Sequence, residues 1–102
     1  MRIVWTPEAE RDRAAIWDYL AARDPAAALK IDRLFGEAVA RLAEFPLLGH
    51  EGPVAGTREV NPHRSYRIVY EVVDETVWIL VLIHTARQWP PLPEERAHGH
   101  VP

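Results

Sequence analysis

The side chains best suited to chemistry gather in the C-terminal half: Arg58, His63, Arg64, Arg67, His84 and Arg87. Arginine keeps its charge at any working pH, so it can hold an anion but cannot serve as a general base. Histidine is the member of this set that exchanges a proton near neutrality. Arg67 stands out because Ser65–Val73 alternates like a strand. A charge inside such a run is costly unless it is paired or faces a ligand. Glu59 and Glu71 are the carboxylates placed to pair it. His84-Thr85-Ala86-Arg87-Gln88-Trp89 follows directly on an apolar run, and reads either as a functional rim or as a capping turn with Trp89 over the sheet edge.

Other chemistries are excluded or weak. There are no cysteines, so neither a disulfide framework nor a thiolate site is available. No pair among His50, His63, His84, His98 and His100 has the spacing of a zinc site with a third ligand nearby, and no cofactor is expected. Gly49, Gly52 and Gly56 lack the spacing and the following helix of a phosphate-cradling loop. Ser65 is the only serine and no nucleophile elbow surrounds it. Glu10 with Asp12, and Asp74 with Glu75, read as a solvated face and a turn.

Composition frames these residues. The 102 residues are 48% apolar and 26% charged, the profile of one ordinary globular domain. Eleven arginines and one lysine, Lys30, stand against fifteen acids, for a net charge of −3. That balance removes the global basic field of a broad nucleic-acid binder, so sequence-specific binding to nucleic acid is not expected. No apolar run reaches the length of a membrane span, and Glu8, Glu10, Asp12 and Asp18 interrupt any secretory leader. A cytoplasmic protein is the expectation.

The elements that must position the polar rim follow from local signals. Arg2–Trp5 is strand-like. Thr6-Pro7 then caps and opens a helix to about Ala22, with Glu8 and Glu10 in its first turn where the dipole favours them. Asp24-Pro25 repeats the signal, and Ala27, Ile31, Leu34, Phe35, Ala38, Val39, Leu42 and Phe45 form an apolar stripe on a helix that runs to about Glu44 and stops at Phe45-Pro46. The result is an antiparallel helical hairpin. Residues 46–56, rich in glycine and proline, read as a loop. Thr57–Asn61, Ser65–Val73 and Val77–His84 read as strands, with turns at Pro62-His63 and Asp74-Glu75. Tyr66, Ile68, Tyr70 and Val72 share one face, and Arg67, Val69, Glu71 and Val73 the other. Val77–His84 is apolar on both faces, as a central strand is. The order β–α–α–β–β–β predicts an α+β fold with the hairpin on one face of a mainly antiparallel sheet of three to four strands. One helical layer leaves the other face short of cover. Residues 1–90 form the domain, and the proline-rich tail over 91–102 is expected to be disordered.

Three pieces in this order carry a resemblance: Val4-Trp5-Thr6-Pro7-Glu8-Ala9 running into Ile16-Trp17-Asp18-Tyr19-Leu20; Leu42-Ala43-Glu44-Phe45-Pro46 followed by Gly56-Thr57-Arg58-Glu59; and Tyr66-Arg67-Ile68-Val69-Tyr70 with Ile83-His84-Thr85-Ala86-Arg87-Gln88-Trp89-Pro90. Over about residues 2–90 the chain resembles the RelE/ParE superfamily of toxins from bacterial type II toxin–antitoxin systems, and its ParE branch in particular. The resemblance implies a toxin that inhibits DNA gyrase by binding, without catalysis, and arrests growth. It also implies a ParD-like antitoxin, a ribbon-helix-helix protein whose C-terminal segment wraps the toxin. Trp17, Leu20, Tyr66, Tyr70, Trp78 and Trp89 are the candidates for that contact.

The RelE-like branch implies a different activity, ribosome-dependent cleavage of mRNA. Such cleavage needs a base, an acid and cations around the scissile phosphate. Arg67 matches the branch's strand arginine, and His84 and Arg87 lie near its remaining catalytic positions. The departures are the position of Lys30 on a helix, the unconvincing match of Glu59 with His84 to a glutamate–histidine pair, and the absence of a C-terminal tyrosine. A third alternative is a degenerate toxin fold that only binds its antitoxin.

Overall fold

Thr6 and Asp24 start the two helices by the same device. The computed structural model, which describes residues 1–90, places both in extended backbone, with their side chains accepting from the amides of Ala9 and Ala27 at 3.2 Å each. Pro7 and Pro25 follow at first helical positions, where a missing amide costs nothing. Helix α1 spans Pro7–Ala21 and α2 spans Pro25–Glu44. Thr6 also donates its hydroxyl to the carbonyl of Ile79 at 2.8 Å, which pins the start of α1 to the sheet. Arg13 on α1 bonds both carboxylate oxygens of Asp32 on α2, at 2.7 and 3.1 Å, and lies over the Trp5 ring.

Among the described residues five strands form one sheet: β1 Arg2–Trp5, β2 His50–Glu51, β3 Thr57–His63, β4 Tyr66–Val73 and β5 Thr76–His84. Their order is β1-β5-β4-β3-β2, antiparallel except that β1 runs parallel to β5. The α+β class and the hairpin on a mainly antiparallel sheet match the expectation from sequence. The strand count does not: β2 lies inside the segment read as a loop. It is two exposed residues paired with Arg58 and Glu59, so its partner defines it rather than any run of its own. Strand β3 also continues through Pro62 to His63, with a register shift after Val60, and the chain turns at Arg64-Ser65 instead. The expected proline-rich tail over 91–102 lies outside the described residues.

The helices cover one face. Phe35, Val39 and Leu42 of α2 and Ala9 of α1 pack on Tyr66, Ile68 and Tyr70 of β4 and on Val77, Ile79 and Leu82 of β5. Phe35 meets Tyr66 edge to face at 5.6 Å. Tyr70 is fully buried, with its hydroxyl donating to the Pro46 carbonyl at 2.7 Å and accepting from the Gly49 amide at 2.9 Å. A Cβ on Gly49 would come within 2.8 Å of that ring and 2.7 Å of the Glu59 carbonyl, so only glycine lets the chain pass here. The opposite face carries Trp78, which is 36% exposed, and Val73, together with a buried polar cluster.

Candidate functional site

That cluster forms around Arg67. Strand alternation turns Arg67 away from the helices, beside Val69 and diagonal to Glu59, which pairs with Val69 on β3. Its Nη1 donates to Glu59 Oε1 at 3.3 Å and its Nη2 to the Thr85 carbonyl at 3.2 Å. The Glu59 side chain is only 5% exposed, and His50 Nε2 stands 3.8 Å from the same oxygen. Glu59 is thus the partner, and not Glu71. Arg67 Nε and Glu59 Oε2 are buried with no hydrogen-bond partner among the described residues. The guanidinium is engaged with its own chain rather than presented to a ligand.

His84 and Arg87 belong to the other side of the sheet. His84 pairs with Tyr66 in register, which places it on the helix-covered face, and its ring meets Tyr66 edge to face at 5.3 Å. With Arg87 it lines a groove of about 870 Å³ between the helical hairpin and the ends of β4 and β5. Ile16 and Leu20 of α1, Ala27 and Ile31 of α2, and Tyr66 and Leu82 of the sheet supply its apolar lining. Asp12, Lys30 and His63 join the lining, and of these only His63 is among the rim residues read from sequence. Asp12 is not on a solvated face as its charge suggested. It accepts from the Leu82 amide at 3.1 Å, and burial lifts its carboxyl above the ordinary value despite that bond and nearby arginines. The signal existed: Asp12 shares the helical stripe of Ala9, Ile16 and Leu20.

The six aromatic and aliphatic candidates divide in the same way. Trp17, 37% exposed, borders a separate depression with Trp5 and Arg13, while Leu20 lines the groove and rests against the core. Tyr66 edges the groove but is 7% exposed, and Tyr70 offers no surface at all. Burial raises both phenols above their usual value. Trp78 is presented on the uncovered face. Trp89 is half-buried, with its indole nitrogen shut away from solvent and without a partner among the described residues. Among the described residues no three His, Asp or Glu side chains are placed to share a metal ion, and no helix is long and apolar enough to cross a membrane.

A sequence model of the family described as ParE toxin of type II toxin-antitoxin system, parDE, matches residues 3–89. The chain belongs to this toxin family. The toxin is 39% identical over 90 residues to the putative toxin Y4kP of Sinorhizobium fredii, across 87% of this chain and 93% of that protein. It is 36% identical over 86 residues to toxin RelE2 of Caulobacter vibrioides, across 84% of this chain and 97% of that protein. Among solved structures, the chromosomal ParDE TA system from P. aeruginosa superposes with a TM-score of 0.73 at 26% identity, covering 82% of the toxin and 95% of that chain. The YoeB dimer from Staphylococcus aureus shares the fold alone, at 18% identity and a TM-score of 0.56, over 79% of the toxin and 92% of that chain.

Proposed function

We propose that this toxin acts by binding DNA gyrase, without catalysis of its own, and that a ParD-like antitoxin neutralises it by laying an amphipathic segment in the groove between hairpin and sheet. One observation carries the first half. Arg67 is spent on Glu59 on one face of the sheet, while His84 and Arg87 stand on the other. A phosphodiester needs its acid, base and cations around one point, so this separation argues for action by contact. The apolar groove and the likeness to a ParDE system support the second half.

The test is a supercoiling assay with purified toxin. Inhibition of gyrase, relieved by the antitoxin encoded beside the gene, is the expected result; unimpaired supercoiling with no cleavage complexes would count against it. The likeness to a relative named toxin RelE2 favours a second reading, mRNA cleavage on the ribosome by Arg67, His84 and Arg87. Under it, translating ribosomes show cuts that Arg67→Ala abolishes. Expression without antitoxin that leaves growth untouched would support the third reading, a fold kept only to bind its antitoxin.

A further inference from the structure

The polar rim of the groove has a specific chemistry. His63 Nδ1 accepts from the Ser65 amide at 3.1 Å, and His84 Nδ1 accepts from the Ala86 amide at 3.0 Å. A ring nitrogen that accepts an N–H carries no proton of its own, so each neutral imidazole holds its proton on Nε2. Both rings are therefore donors on their free side, and the edge-on contact with Tyr66 fixes the His84 plane. Lys30 on α2 and Arg87 after β5 add two exposed cations, and neither has an ion-pair partner among the described residues. The groove's one carboxylate, Asp12, is turned to the Leu82 amide.

We infer that Lys30, His63, His84 and Arg87 form a carboxylate-receiving anchor for an acidic residue of the antitoxin segment bound in the groove. The inference rests on the docking proposed above and deepens it. Four donor side chains beside an apolar floor complement a helix that carries leucine-like residues at one-turn spacing and Asp or Glu at the matching end. The chain as a whole is acidic, with a net charge of −3, so a local basic rim does not steer partners from afar. Its role is register: it selects which end of an amphipathic segment meets β5, since a reversed segment would leave its carboxylate against apolar lining.

The test uses overlapping fluorescent peptides of the antitoxin encoded beside the gene, each paired with a version in which Glu and Asp are replaced by Gln and Asn. Both forms are titrated against the full chain and against Arg87→Glu, Lys30→Glu and Ala15→Trp. Ala15 is exposed and lines the groove, so tryptophan there blocks it without disturbing the core. Arg87→Glu and Lys30→Glu should each weaken the acidic peptide by about fivefold to tenfold, leave the neutral form unchanged, and recover binding when the peptide carboxylate becomes Lys. Equal effects on both peptide forms, or none, while Ala15→Trp abolishes binding, would overturn the anchor and leave groove docking standing. If Ala15→Trp also has no effect, groove docking falls and the anchor with it. If the Arg87→Glu effect vanishes on deletion of residues 91–102, the rim serves the chain's own tail and the inference is overturned.

Discussion

On the helix-covered face of the sheet, Tyr66, Ile68 and Tyr70 lie against Phe35 and Leu42, and every buried polar atom of Tyr70 is bonded. On the other face the same strand sets Arg67 beside Val69, closed over Glu59, with one nitrogen and one oxygen of the pair left without partners among the described residues. One strand thus borders two interiors. The first is stabilised by apolar area and close packing, so its losses scale with the volume removed. The second depends on a charge pair whose attraction must offset the cost of drying both partners. The difference predicts which substitutions each face tolerates.

The largest loss is expected on the helix side. Phe35→Ala removes a side chain only 1% exposed and should cost about 4 kcal/mol in denaturant unfolding. Arg67→Ala leaves the buried Glu59 carboxylate with only the exposed His50 ring beside it, at about 3 kcal/mol. The comparison is sharpened by the double replacement Arg67→Met with Glu59→Leu, expected within about 1 kcal/mol of the parent chain or above it. If that double variant is as unstable as the single one, the second interior is held by the ion pair after all. Tyr70→Phe strands the Gly49 amide and should cost about 2 kcal/mol, with no change in the groove.

Asp12→Asn has the smallest effect and a characteristic sign. Because the folded carboxyl lies above its ordinary value, the folded state holds the proton more tightly than the unfolded chain. Its contribution to stability is therefore complete below the unfolded carboxyl value and is lost as pH rises through the folded one. Asparagine can still accept from Leu82, so the variant should flatten the melting temperature against pH from about pH 4 upward. A variant curve parallel to the parent's would remove Asp12 as the source.

Capping chemistry made both helices legible to within a residue, because Thr6-Pro7 and Asp24-Pro25 act through their own backbone amides. The facing of β4 was equally legible, since alternation alone puts Arg67 opposite Tyr66, and Glu59 was already among its two candidate partners. What escaped is decided by remote pairing. Strand β2 exists because Arg58 and Glu59 offer it an edge, and β1 is parallel because of where the helical hairpin returns the chain. The groove escaped for a related reason. Lys30, His63 and Arg87 come from three separate elements, and no spacing along the chain announces their meeting.

The pairing of β1 with β5 also bears on how the protein is made. Among the described residues β1, the first strand in the sequence, pairs only with β5, the last. The helical hairpin can form early from local contacts, but its sheet-facing stripe waits for nearly the whole domain before it is covered. A chain cut before Thr76 keeps β4 for α2 to pack on but lacks β5, which leaves β1 unpaired and α1 without the strand it rests on. The sheet is completed only when both ends of the domain are present, so its closure depends on the full length from β1 to β5.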